Sequence, residues 1–383
     1  MSRNLVVCLD GTDNEFCLQN TNVVRMFQSL IRDPERQIPL YDAGVGTIWE
    51  PGTLSKASQK IQLWLGMAFG LGVTRNVAEA YAFLMNHHRE GDRIFLFGFS
   101  RGALEVRALA ALIHRCGLLE PQLGPLEPYA MRLFQTAGNN EVVSSFKETF
   151  SRDIGIEFLG IWDTVTSMGN VWSPVRWPHT TWNPSVKRVA HAIAIDERRA
   201  FFRQNRWSPA DEQRVDEEWF AGVHSDVGGG YDPHKGRLWA ITLEWMAAHA
   251  REAELLFDDS KLQAALNLGR AEAGSCPDAA TDQNDSMSPF WKALELVPRR
   301  SRARRDDGTF DEERWMLPFR HSGFRGRPRR LSPGEKVHRS AIERFVARSD
   351  YRPETLTNAG LNLEVASTFL NTDQRAWVVP SRT

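Results

Sequence analysis

The stretch from Arg93 to Gly117 restricts the fold more than any other part of the chain. Arg93-Ile-Phe-Leu-Phe-Gly-Phe99 is apolar after its first residue and runs directly into Ser100-Arg101-Gly102. Beyond that point Ala103, Val106, Ala110 and Ile113 recur at helical spacing as far as Cys116, with Gly117 placed to end the helix. A strand that is apolar at successive positions has both faces covered, which is the condition of a parallel sheet between helices. Similar runs at Leu5–Leu9, Ile38–Tyr41, Ile156–Trp162 and Trp219–Val223 read as further strands, and Asn76–Arg89 carries a second helical stripe. Strands alternating with helices predict an α/β fold, a mainly parallel sheet with helices on both faces. His191, in Arg188-Val-Ala-His-Ala-Ile-Ala194, reads as a packed helical histidine. The text turns polar near residues 255–290, which predicts a catalytic core over residues 1–255. Residues 256–383 would then be a mostly helical or irregular C-terminal extension packed on it.

Gly98-Phe99-Ser100-Arg101-Gly102 has the form G-x-S-x-G between a strand and a helix. In such a turn the serine hydroxyl projects above the sheet. Gly98 and Gly102, lacking Cβ atoms, let strand and helix approach each other. The alternative is a serine that caps the helix. Read as a nucleophile, Ser100 needs a base and a carboxylate that orients it, in the chain order serine, acid, histidine. Asp163 follows Phe158-Leu-Gly-Ile-Trp162 and His224 follows Trp219-Phe-Ala-Gly-Val223, both at strand C-termini where open α/β sheets hold their ligands. They are the acid and the base. His179 and His191 are the competing bases, and Asp196 and Asp226 the competing acids; Asp226 is read as a brace for the turn before His224. The backbone amide of Arg101 faces a developing oxyanion, and Gly11 and Thr12 are candidates for the second donor. Asp10 either supports that loop or simply closes an Asx turn.

The motifs resemble a known family. Its N-terminal signatures are matched by Asp10-Gly-Thr-Asp-Asn14, Tyr41-Asp-Ala-Gly-Val-Gly-Thr47 and Gly66-Met-Ala-Phe-Gly-Leu-Gly72. Gly91–Ala103 resembles its centre. Later blocks are matched by Phe158–Val165, His191–Arg198, Trp219–Tyr231, His338-Arg-Ser340 and Tyr351-Arg-Pro353. The chain is similar to the uncharacterised α/β-hydrolase family that includes phospholipase effectors of bacterial type VI secretion systems. The resemblance implies an α/β-hydrolase-like fold and a serine esterase or lipase acting on phospholipid or another carboxyl ester, with no cofactor. Carried over by motif, the triad is again Ser100, Asp163 and His224. The expected location is the cytoplasm, with export by a route independent of a signal peptide as the alternative, and an immunity or secretion protein is a candidate partner.

Charge and composition narrow the partners. Lys+Arg total 47 against 48 Asp+Glu, so no global basic excess points to nucleic acid. Cys8, Cys17, Cys116 and Cys276 form no CxxC pair and read as free thiols. Leu63–Val73, the longest apolar run, has 11 residues where a membrane span needs about 20. Any membrane contact would be peripheral, through a Trp/Pro loop carrying Trp172, Trp177 and Trp182. The segment 299–330 holds eleven arginines, no lysine and five acids, and is either a site for anionic lipid or a solvated face paired with its own acids. Two other functions fit parts of the pattern. One is a metal-dependent hydrolase using Asp10, Asp163, His224 and Asp226. The other is a catalytically silent binding module.

Overall fold

The computed structural model of the chain describes residues 2–11, 19–44, 71–136, 138, 140–165, 169–170, 173–174, 177–268, 278–296, 298–301, 314–317 and 323–381. Thr12, Cys17, Trp172, Cys276 and most of the Leu63–Val73 run lie outside the described residues.

Eight strands form the main sheet. They are β1 (Asn4–Leu9), β2 (Gln37–Asp42), β3 (Arg93–Phe99), β4 (Ile156–Trp162), β5 (Val186–Ala194), β6 (Arg214–Phe220), β7 (Lys336–His338) and β8 (Ala376–Val378). Their spatial order is β8-β7-β6-β5-β4-β3-β1-β2, and every neighbouring pair is parallel except β7 with β8. The helices that concern the site are α1 (Asn22–Gln28), α2 (Leu71–His87), α3 (Arg101–Cys116), α4 (His224–Gly228), α5 (Leu238–Glu252), α6 (Pro289–Leu294) and α7 (Arg339–Ala347).

The apolar run of β1 explains how the layers form. Leu5, Val7 and Leu9 pack on one face with Val77 and Leu84 of α2 and Val106 and Leu109 of α3. Val6 and Cys8 point the other way and pack with Val23 and Met26 of α1 and Trp239 and Met246 of α5. Both sets are fully buried, so the alternation expected of a half-exposed strand is erased. A third cluster, with Ile193, Trp219, Val337, Phe345 and Trp377, closes the β5–β8 end of the sheet. Among the described residues no helix is long and apolar enough to cross a membrane.

Two expectations need correction. His191 lies in β5, a central strand, rather than in a helix. Its ring accepts burial because Nδ1 meets Glu217 Oε2 at 2.7 Å across the register with β6. The strand expected at Trp219–Val223 runs instead from Arg214 to Phe220, because Gly222 at φ 109° turns the chain and His224 opens α4. The C-terminal segment is mostly helical or irregular, and it adds β7 and β8, three residues each, to the same sheet.

A candidate active site at the strand C-termini

Strand order reverses at β1, which lies between β2 and β3, and open α/β sheets bind ligands beside such a switch, beyond the strand C-termini. Ser100 stands there, one residue past β3. Its backbone has φ 60° and ψ −116°, a left-handed conformation unfavourable to any residue with a Cβ. The Ser100 side chain makes no capping bond to α3, so the strained residue does not serve as an ordinary helix cap. Its amide still continues the sheet, donating to Trp162 O at 3.1 Å.

The two flanking glycines are required by packing. A Cβ on Gly98 would lie 2.4 Å from Gly102 O, and one on Gly102 would lie 2.1 Å from Leu9 O and 2.7 Å from Asp10 O. The elbow is therefore pressed against the loop that leaves β1. In that loop Gly11 N donates to Asp10 Oδ1 at 2.7 Å, while Thr21 Oγ1 and Tyr41 Oη donate to Asp10 Oδ2 at 2.5 and 3.3 Å. Asp10 closes the turn, as one of its two readings held. The Gly11 amide, a candidate oxyanion donor, is bonded to Asp10 in this structure; Thr12 lies outside the described residues. Arg101 is the first residue of α3, so its amide belongs to the helix N-terminus.

Asp163 and His224 come together across the sheet. His224 Nδ1 and Asp163 Oδ2 are 2.6 Å apart, and both side chains are buried. Asp163 also occupies a left-handed backbone position, φ 37°, one residue beyond β4. Its Oδ1 accepts from the Ala194 amide at 3.0 Å. The His224 ring lies 4.5 Å, centroid to centroid, from Phe99, the neighbour of Ser100, and 4.8 Å from Phe202. Phe202 in turn meets Trp291 at 5.0 Å, so an aromatic wall continues outward from the imidazole to α6.

The helix bearing His224 is held from several sides. Asp226 Oδ2 accepts from Val223 N at 3.1 Å and Asp226 Oδ1 from Asn284 Nδ2 at 2.7 Å, which is the bracing role expected of it. Asn22 Nδ2 of α1 donates to Val227 O at 3.1 Å. Asp196 Oδ2 accepts from Gly222 N and from Tyr351 Oη, at 2.7 and 2.9 Å, and so steadies the turn before His224. Burial pushes the Asp196 and Asp226 carboxyls up to about 6.

Gly228 lets α4 lie flat on the elbow, since a Cβ there would fall 1.9 Å from the Phe99 ring. Gly228→Ala is expected to cost about 1–3 kcal/mol of stability and to lower kcat for any reaction of Ser100, because ring or helix must move. Denaturant melts together with kcat measurements check this; wild-type values for both would show that the contact is dispensable.

The residue that sequence reading missed is Arg329. Its guanidinium grips Asp163 with both nitrogens, Nη1 to Oδ1 at 2.5 Å and Nη2 to Oδ2 at 3.0 Å, and also donates to Ala194 O and Phe202 O. Burial alone would raise the Asp163 carboxyl. The Arg329 charge, with the His224 hydrogen bond, overcomes this and holds it well below the ordinary carboxylate value. Burial depresses the His224 imidazole despite the neighbouring Asp163 charge. Glu197, paired with Arg199 at 2.8 Å, accepts from His224 N at 3.3 Å. The lysine-free run of eleven arginines over 299–330 was the one signal pointing toward Arg329, since a planar guanidinium can grip a carboxylate with two parallel bonds.

Other candidates fall away from the site. His191 is held by Glu217, and His179 stacks with Trp182 and His114. Trp177 is buried against Phe134, which removes it from any membrane-facing role; Trp182 is 41% exposed. The four proposed metal ligands do not converge, as Asp10 and Asp226 are held in separate turns. Among the described residues no three His, Cys, Asp or Glu side chains form a group that could hold a metal ion. Cys8 and Cys116 are free and buried.

Comparison with known proteins places the chain in a family. An uncharacterized Saccharomyces cerevisiae protein is 32% identical over an alignment of 225 residues that covers 54% of this chain and 33% of the relative. The chain thus spans about a third of the length of that curated relative. Two solved structures superpose loosely. An uncharacterized protein from Pseudomonas aeruginosa does so with TM-score 0.40 and 19% identity, over 68% of this chain and 47% of that one. A Tle1 effector bound to the VgrG spike of a type VI secretion system does so with TM-score 0.37 and 18% identity, over 62% and 52%. The family model for the catalytic domain of Tle1-like phospholipase effectors of type VI secretion matches residues 3–249, most of the chain, from β1 into α5. The chain belongs to the Tle1-like phospholipase effector family, through its catalytic domain.

Proposed function

We propose that the protein is a serine hydrolase that cleaves the carboxyl ester bonds of lipids, phospholipids foremost, through an acyl-enzyme. The observation that carries this reading is the buried 2.6 Å Asp163–His224 pair, whose imidazole lies against Phe99 beside the strained Ser100.

With Nδ1–H donated to Asp163, His224 keeps Nε2 unprotonated and able to accept a proton. Ser100 Oγ attacks the ester carbonyl as His224 takes its proton, and Asp163 stabilises the resulting imidazolium. The Arg101 amide, at the N-terminus of α3, is the first oxyanion donor in this scheme, and the second comes from the loop after β1. Collapse of the tetrahedral intermediate expels the alcohol, which takes the proton back from His224. Water, deprotonated by the same imidazole, then releases the fatty acid and regenerates Ser100. Arg329 acts through Asp163 and keeps that carboxylate charged. Family membership and the wall of Phe99, Phe202 and Trp291 beside His224 favour a substrate with an apolar acyl part.

The pH dependence of kcat/KM tests the base. His224 must be neutral to accept the proton, and burial holds its pKa below the ordinary value of about 6.5. Activity lost on protonation therefore disappears only as pH falls through that lowered value. With a soluble p-nitrophenyl acyl ester, the acidic limb is expected to have its midpoint below about 6.5. A midpoint above 7, or no acidic limb, would exclude His224 as the base.

A further inference from the structure

A second charged feature lies on the far side of Arg329. A cavity of about 290 Å³ is walled by Arg198, Arg325, Arg327, Arg329 and Arg330, with Glu354 as the acid on its rim. Arg329 turns its guanidinium inward to Asp163. The other four guanidinium groups have no ion-pair or side-chain hydrogen-bond partner among the described residues. Like charges gathered beside a single lining carboxylate, Glu354, repel one another. Burial and the nearby Arg330 charge hold the Arg327 guanidinium below its ordinary value.

The walls of the cavity are built rather than incidental. Arg327 N donates to Arg198 O at 3.0 Å, and Gly326, at φ 70°, passes so close that a Cβ would lie 2.6 Å from the same oxygen. Thr355 Oγ1 donates to Arg329 O at 3.0 Å from the opposite wall. The adjoining surface is apolar. Phe324, beside Arg325 in the turn Gly323–Arg325, and Phe290 of α6, which packs against that turn, are each 47% exposed.

We propose that this cavity receives the phosphate of an anionic lipid headgroup, and that Phe290 and Phe324 meet the acyl layer beside it, so that the face made by α6 and residues 323–330 docks on an anionic bilayer. Guanidinium groups grip phosphate oxygens in pairs, and aromatic side chains next to cations suit the headgroup zone. A free phosphate ion would satisfy the arginines but would not cover the exposed apolar surface of Phe290 and Phe324. The aromatic wall from α6 to His224, and Arg329 shared between cavity and Asp163, place this face next to the site proposed for ester cleavage.

The choice of a lipid surface rests on the lipid-ester reading, so binding is measured on the Ser100→Ala chain, where hydrolysis plays no part. That chain is expected to float with phosphatidylcholine vesicles containing phosphatidic acid and not with phosphatidylcholine alone. Adding Arg325→Gln and Arg327→Gln should weaken vesicle binding about thirtyfold, from the loss of two cations near an anionic surface. Adding Phe290→Ser and Phe324→Ser should also weaken it with the charge unchanged. Far-UV circular dichroism and thermal melts establish that each variant is folded. Equal vesicle binding by folded parent and glutamine variant overturns the assignment, as does failure of the parent to bind. Titration with inorganic phosphate separates the two sources of phosphate: saturable binding lost in the glutamine variant, without vesicle binding, overturns the lipid assignment in favour of a soluble anion. In each of these cases hydrolysis of a soluble ester by the wild-type chain would leave the esterase reading standing.

Discussion

Ser100→Ala is expected to lower ester hydrolysis by about 10⁴-fold or more, while the thermal melt stays close to that of the wild-type protein. Removing the nucleophile ends acyl-enzyme formation, whereas the alanine keeps the Cβ and therefore the strain. Ser100→Gly separates the two properties. Glycine adopts the φ of 60° at little cost, so this variant should be as inactive as alanine yet more stable by roughly 1 kcal/mol. A serine kept for capping would behave in the opposite way, with both substitutions reducing stability and neither touching catalysis. Parallel measurement of kcat and of denaturant midpoints distinguishes the outcomes. Retained hydrolysis in Ser100→Ala, whatever the stability, would end the serine mechanism.

Arg329→Met has the second largest expected effect. It removes the bidentate partner of Asp163 in a buried site and leaves that carboxylate with His224 and the Ala194 amide. Breaking one side of a buried ion pair costs about 3–5 kcal/mol, so a large fall in melting temperature is expected. The catalytic consequence differs from that of a purely structural loss. With the guanidinium gone, an imidazolium at His224 is less opposed, and its pKa rises. The acidic limb of kcat/KM should move to higher pH by about one unit, together with a fall of about 10–100-fold at neutral pH. Arg329→Lys restores the charge but not the paired geometry, and should recover the position of the limb more than the rate. A variant that is less stable but keeps the wild-type pH profile would confine Arg329 to a structural role.

Much of this site was legible in local sequence because its demands are local. Ser100 lies between two glycines whose Cβ atoms would collide with neighbouring backbone, and that steric need appears in any alignment-free reading of strand, turn and helix. Asp163 was legible because it follows an apolar strand, and His224 because it follows the apolar end of another strand of the same sheet. What escaped detection depended on distant partners. His191 looked helical because the residues around it carry no alternation, and its register against Glu217 of β6 makes an acidic partner available. Polar residues open β6, so only its buried end, Trp219-Phe220, read as a strand. Strands β7 and β8 are three residues each, too short to leave a periodic signal. Arg329 is 166 positions from Asp163 in a stretch rich in arginine, where nothing nearby distinguishes a buried clamp from a solvated cation.

The fold and the chemistry meet in the claim that Ser100 is a nucleophile activated by His224. Intact-mass spectrometry after exposure to a fluorophosphonate tests it without any choice of substrate. The wild-type chain is expected to gain one phosphonyl group, located to Ser100 by peptide mapping, with Ser100→Ala unlabelled and His224→Ala labelled far more slowly. A folded wild-type chain that gains no adduct, or gains one at another residue, would contradict the account.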